Sequence, residues 1–182
     1  VNDILKLNKI EENKIVLEEM TFNVSDEINS IISSLRFIAE KHNNTFVFEF
    51  DTEIPEYLIG DKLRLSQIFM NLISNALKFT KNGEVYISAN LVKVEEKINY
   101  INFQVKDNGI GIADDDKDKI FEKFVQVGRK VDDYQGTGLG LSIVKKLIEL
   151  FNSDIIMESK VGLGTSFTFT IGFEADTLKT IN

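Results

Sequence analysis

The sequence predicts a layered α/β sandwich built on a mixed sheet. Three observations carry this. Helical and strand periodicities alternate irregularly along the 182 residues. Two pairs of strand-like segments follow one another closely enough to be hairpins. The long helical segment puts its apolar residues on one face only, which must be covered by a second layer.

The elements follow in order. In residues 1–19, Ile4, Leu7 and Ile10 recur at three-residue spacing before EENK dilutes the pattern. The stretch is too short to fold alone and reads as the end of a longer helix. MTFNV (20–24) suits a short strand. Ser25 then serves as N-cap of a helix carrying Ile28, Ile31, Ile32, Leu35, Ile38 and Ala39 at helical spacing. TFVFEF (45–50) alternates as a strand. Asp61 caps a long helix striped by Leu65, Ile68, Phe69, Leu72, Ile73, Ala76 and Leu77. Asn82-Gly83 is a hairpin-like turn signal leading into strands at 84–94 and 98–107, joined near Glu95-Glu96-Lys97. Residues 114–124 read as a short helix with its acids in the first turn. A polar, glycine-containing loop (125–137) precedes a helix at 138–151, whose Leu141, Val144, Leu147 and Ile148 face inward. Strands at 154–159 and 165–173 are joined by KVGLG. Residues 20–174 thus form one unit, with a tail at 175–182.

Composition narrows the chemistry. The chain has no cysteine, so disulfide scaffolds, zinc ribbons, iron–sulfur sites and thiol nucleophiles are excluded. One histidine, His42, excludes a multi-histidine metal cage. The net charge of −8 argues against a nucleic-acid backbone as partner. No run approaches 18 apolar residues, and the polar start is unlike a signal peptide, so an intracellular soluble domain is expected. Eight of the 11 glycines lie between 109 and 164. Glycine serves where backbone takes positive φ or approaches something closely, so this cluster reads either as backbone wrapped round a ligand or as separate turns.

Three motifs stand out. Asn71, Asn75 and Lys78 sit at i, i+4 and i+7, on the face opposite the apolar stripe, with Gln67 one turn earlier. An Asn oxygen can ligate Mg²⁺ when phosphates and waters complete the shell, and a lysine one turn on can meet a phosphate. The same face could be an ordinary solvated stripe. Asp107-Asn108-Gly109-Ile110-Gly111-Ile112 follows a strand but runs into a helix rather than back into a strand. It is either a simple turn or a buried carboxylate able to accept from an exocyclic amine. Gly136-Thr137-Gly138-Leu139-Gly140-Leu141 opens a helix. Its third glycine comes one residue too early for a dinucleotide fingerprint, and no Gly-Lys-Ser/Thr follows to make a Walker A loop. What remains is a glycine-rich helix N-terminus favourable to phosphate.

In order and spacing, NLISNALKF, DNGIGI, FEKF, GTGLGLSIV and GLGTSFTF closely resemble the N box, first glycine box, F box, second glycine box and final glycine motif of sensor histidine kinase ATP-binding domains. These belong to the gyrase/chaperone/mismatch-repair ATPase superfamily. The resemblance runs from about 20 to 173, and the leader LKLNKIEENKIVLE resembles the end of the second dimerisation helix. It implies a two-layer Bergerat-type fold, with a largely antiparallel sheet covered by about three helices and a mobile lid. By similarity, Asn75 is the Mg²⁺ ligand and Lys78 contacts phosphate. Asn71 stands where hydrolysing members carry a general-base glutamate; an amide cannot take that proton. Asp107 binds the adenine amino group, with Gly109, Gly111 and Ile112 shaping the pocket. Phe121 and Phe124 match the F box. Gly136, Thr137, Gly138, Leu139, Gly140 and Leu141 match the box where lid backbone meets phosphate, and Thr165 lies near the nucleotide floor. Where many relatives carry a γ-phosphate arginine this chain has Gln126; Arg129 and Lys130 follow, and the choice between them stays open.

The resemblance therefore implies a kinase with ATP and Mg²⁺ as cofactors, passing the γ-phosphoryl to a histidine on its own dimerisation domain and thence to a response-regulator receiver domain. It implies no nucleic-acid or membrane contact for these residues, a homodimeric parent and a cytoplasmic location. His42, between a helix and a strand, lacks the context of a phosphoacceptor and reads as a helix-end residue. Three alternatives stay open: a hydrolysing ATPase of the superfamily, a kinase acting in trans on serine or another histidine, and a nucleotide-binding signalling module without kinase activity.

Overall fold

Strand follows strand into a single seven-stranded sheet in the computed structural model, which describes residues 16–122 and 140–180. The elements are β1 (Met20–Phe22), α1 (Val24–Lys41), β2 (Thr45–Phe50), β3 (Leu58–Gly60), α2 (Lys62–Lys78), β4 (Glu84–Glu95), β5 (Ile98–Asp107), the single turn α3 (Asp114–Lys117), α4 (Gly140–Leu150), β6 (Ile155–Lys160), β7 (Gly164–Ala175) and the single turn α5 (Thr177–Thr180). The order across the sheet is β1-β3-β7-β5-β4-β2, with β6 also paired to β7. Every pairing is antiparallel except β2 with β4.

Alternation decides which face is buried. Val85, Ile87 and Ala89 of β4, Ile101, Phe103 and Val105 of β5, and Phe167, Phe169, Ile171 and Phe173 of β7 all point into the core. On the other face, Asn102 donates to Thr170 Oγ1 and Gln104 to Ser166 Oγ, each at 3.0 Å, lacing β5 to β7 with polar side chains. The helices cover the apolar face. α2 lies between α1 and α4, and its predicted stripe, Leu65 through Leu77, is buried throughout. Phe69 of α2 meets Phe103 and Phe169 with ring centroids 5.2 and 5.7 Å apart, an aromatic knot at the centre of the sandwich. The two-layer α/β architecture is as expected.

Local chemistry explains the boundaries, with several corrections. α1 is capped by Asn23, not Ser25: the Asn23 side chain accepts from Asp26 N at 3.0 Å, and Val24 is buried as the first helical residue. Asp61 caps α2 as expected, accepting from Arg64 N at 3.0 Å. Its other oxygen accepts from Glu18 N at 2.8 Å, which ties the incoming chain to the start of α2. Asn82-Gly83 is no hairpin; it joins α2 to β4, because β4 finds β2 as a parallel partner across a helical crossover. The hairpin joining β4 to β5 turns at Glu96-Lys97, as expected, with both residues at positive φ (49° and 72°) and no glycine. The helix expected over 114–124 is one turn only, continued by i+3 bonds such as Lys119 N to Asp116 O and Glu122 N to Lys119 O. Among the described residues of this stretch only Ile120 is deeply buried. β7 extends through Ala175, and Asp176 N donates to Tyr57 O at 2.9 Å.

Candidate functional site

The site lies where the C-terminal end of α2, the end of β5 and the β6–β7 turn meet. On α2, Gln67, Asn71, Asn75 and Lys78 are half-buried on one face, while Leu72, Ile73, Ala76 and Leu77 between them are buried. Arg64 donates to Gln67 Oε1 at 3.0 Å. No hydrogen bond ties the Asn71 or Asn75 side chain to another described residue. Partial burial holds the Lys78 ammonium below the usual lysine range, and its Nζ lies 5.2 Å from the Phe79 ring centroid. An ammonium short of hydration is well placed to gain from an anion.

β5 ends in Asp107, which is 6 % exposed and pairs across the sheet with Thr165 of β7. Burial pushes its carboxyl above the usual carboxylate range. Three donors oppose that push: Gly109 N–H, bonded to Oδ1 at 2.9 Å, then Thr165 N–H and the neighbouring Thr80 hydroxyl. The loop after Asp107 is held to the end of α2, because Ile110 N donates to Phe79 O at 3.1 Å. That approach leaves no room for a side chain at Gly109: a Cβ there would lie 2.2 Å from Phe79 O.

The other wall comes from the β6–β7 turn. Gly162 N donates to Ile110 O at 2.8 Å. Ser159 Oγ accepts from Ile112 N at 2.7 Å and lies 2.8 Å from Thr165 Oγ1. Gly164 sits at φ +112°, where a Cβ would fall 2.0 Å from Asp107 O. Asp107, Gly109, Gly111, Ile112 and Thr165 are therefore brought together on one bonded frame. Gly140 and Leu141 open α4, which packs against α2. Phe121 packs edge-on to Phe167, with Lys145 Nζ over its ring. Phe124, Arg129, Lys130, Gly136, Thr137, Gly138 and Leu139 lie outside the described residues.

Two site residues were missed. Ser159 and Thr80 carry no motif, and the only sequence signal for Thr80 is a hydroxyl residue directly after the long helix. The acidic run behaves as a solvated helix start: Asp114 pairs with Lys117 at 2.8 Å, and no group of three His, Cys, Asp or Glu among the described residues could hold a metal ion. A Mg²⁺ ion fits the α2 face differently, through the neutral oxygen of Asn75, which bonds to no other described residue, since this ion keeps waters and substrate phosphates as its remaining ligands. His42 is the C-cap of α1. Among the described residues no helix is long and apolar enough to cross a membrane.

A helix-covered sheet whose third-last strand ends in a buried aspartate under glycine turns is the Bergerat-type ATPase sandwich. The sequence profile described as histidine kinase-, DNA gyrase B-, and HSP90-like ATPase matches residues 60–175, and the chain belongs to that family. Its curated relatives are sensor kinases. It is 37 % identical over 176 residues to hybrid signal transduction histidine kinase B of Dictyostelium discoideum, covering 94 % of this chain and 9 % of that protein. It is 35 % identical over 173 residues to sensor histidine kinase RcsC of Escherichia coli K12, covering 94 % and 18 %. The chain thus spans a fifth or less of these relatives. Among solved structures, full-length ShkA in complex with AMPPNP superposes with a TM-score of 0.81 at 28 % identity, over 96 % of this chain and 35 % of that one. The catalytic domain of histidine kinase ThkA gives 0.69 at 29 %, over 85 % and 95 %. ThkA in complex with the response regulator TrrA gives 0.68 at 26 %, over 94 % and 48 %.

Proposed function

We propose that this chain is the catalytic domain of a two-component sensor histidine kinase. It binds Mg-ATP and transfers the γ-phosphoryl group to a histidine of its own dimerisation domain, for relay to a response-regulator aspartate. The observation that carries this reading is the α2 face itself, with two carboxamides that bond to no other described residue and a partly desolvated lysine, but no carboxylate. Such a face can hold a metal–phosphate group. It offers no base at Asn71 to activate water, which favours transfer to a protein nucleophile over hydrolysis.

In this reading Asp107 accepts from the adenine amino group, Lys78 pairs with phosphate, and Asn75 holds Mg²⁺ with Asn71 beside it. The ion would neutralise phosphate charge. The residues of this chain act by positioning, as in other phosphoryl transfers. An imidazole nitrogen forms the new bond to γ-phosphorus as the bond to the β-phosphate oxygen breaks, and ADP leaves. The leader, of which residues 1–15 lie outside the described residues, comes from the end of the dimerisation domain, 20–174 form the ATP-binding unit, and the unit works in the cytoplasm as part of a homodimer.

Titration with a fluorescent ATP analogue is the first test, and Mg²⁺-dependent binding is expected. Incubation with ATP and the dimerisation helices of a relative should then place acid-labile phosphate on a histidine. Binding indifferent to Mg²⁺, or rapid ATP hydrolysis without transfer, would overturn the reading.

A further inference from the structure

One buried polar group at the site is unaccounted for. Thr80 is fully buried, and its hydroxyl makes no hydrogen bond of ordinary geometry with any described residue. Buried hydroxyls are normally paired, and leaving one unmade is costly. Thr80 is nonetheless fixed on every side. Asn44 Nδ2 donates to its carbonyl at 2.8 Å. Its methyl sits 2.7 Å from where a Cβ on Gly83 would be. Its hydroxyl lies 2.8 Å from the Cβ position of Gly109, next to the Asp107 carboxyl, whose charged form it favours. The neighbouring carbonyl of Phe79 already accepts from Ile110 N.

We propose that Thr80 is a positioning and base-selecting residue: its hydroxyl donates to the Asp107 carboxylate and, with the Gly109 and Thr165 amides, keeps that carboxylate a pure acceptor toward the base. The inference rests on the reading of Asp107 as the base contact. A hydroxyl can rotate to donate, and the carboxylate is the acceptor left to it. With its protein-facing lone pairs engaged and its charge retained, Asp107 can only accept. A base presenting an amino group fits; a base presenting a carbonyl sets acceptor against acceptor, and a buried mismatch of that kind is strongly discriminating. Thr80 acts through Asp107 and does not touch the nucleotide.

The test compares ATP with inosine triphosphate, which carries a carbonyl in place of the adenine amino group, by competition titration on the whole chain. Thr80→Val removes the hydroxyl at constant shape. It should weaken ATP about tenfold and leave inosine triphosphate within about twofold, so the preference narrows about tenfold. Thr80→Ser should restore both values. Equal weakening of both nucleotides, no change in either, or failure of serine to rescue would overturn the proposal. If Thr80→Val unfolds, Thr80→Ala against Thr80→Ser gives the same comparison. Asp107→Asn separates the two readings. If it leaves ATP binding intact, the base contact itself is wrong; if it weakens ATP while Thr80→Val does not, only the role of Thr80 is wrong.

Discussion

Replacing Asp107 by asparagine should separate what this residue does for the nucleotide from what it does for the fold. The two side chains have the same shape. In the protein, one carboxylate oxygen accepts from Gly109 N at 2.9 Å, and further donors stand at Thr165 and Thr80. If the amide oxygen keeps the Gly109 bond, the amide NH₂ faces the donors and the base amine; if it flips, donor meets donor at Gly109. Losing a hydrogen bond to a charged acceptor costs about 1.5–3 kcal/mol, or about tenfold to a hundredfold and more in Kd. Stability should move the other way. Burial raises the Asp107 pKa above its unfolded value of 3.8. Its stabilising contribution is therefore complete below that value and lost as pH rises through the raised folded value, which makes the charged carboxylate a burden at neutral pH. Asp107→Asn should accordingly show an unchanged or higher Tm without nucleotide, together with ATP binding weakened at least tenfold. Thermal unfolding and analogue titration measure both. A Kd within twofold of the parent, together with a lower Tm, would show that the carboxylate serves the fold instead.

Other outcomes follow from the same structure. ATP affinity should fall on acidification from neutral pH, as Asp107 takes up its proton above the ordinary carboxylate range, and Asp107→Asn should flatten that fall in a pH series of titrations. Gly164→Ala, at φ +112° with its Cβ 2.0 Å from Asp107 O, should lower Tm and weaken nucleotide binding together, since relief of the clash moves the strand end that carries Asp107. Phe103→Ala should cost about 3–5 kcal/mol in denaturant unfolding, because it empties the centre of the knot with Phe69 and Phe169. Asp61→Ala should cost about 1–2 kcal/mol, and Asp61→Ser should recover the cap on Arg64 N but not the bond from Glu18 N.

Much of this was legible because strong signals were local. Asp61 before a perfect stripe locates the start and buried face of α2, and the alternation of TFVFEF locates β2. Where two residues could do one job, the sequence misled: Asn23 and Ser25 are both good caps, and the burial of Val24 chose between them. Asn82-Gly83 has hairpin chemistry but sits in a crossover, because the partner of β4 on that side is distant in sequence. The hairpin turn at Glu96-Lys97 falls where the break in strand alternation puts it, although no glycine marks it. The acids at 114–118 favour a helix start, but after Lys117 the described backbone continues in i+3 bonds instead. Asp107, Gly109 and Thr165 were legible as motifs. Thr80 was not, since what distinguishes it is the company it keeps after folding.

The strand at the heart of the sheet is the last of the seven in the chain. β7 pairs with β5 along its length, and with β6 and β3 on its other edge, at separations as large as that between Leu58 and Ala175. Two hairpins, β4–β5 and β6–β7, can form from neighbouring residues, but they join only when the long stretch between them closes. Asp107 and Thr165 belong to different hairpins, so the frame proposed to hold the base exists only after that closure. On the ribosome, the chain would remain unable to hold nucleotide until its final strand emerged. Ligand occupancy would then mark completion of folding, and a cell rich in ATP would draw the finished domain out of the pool of partly folded chains by mass action.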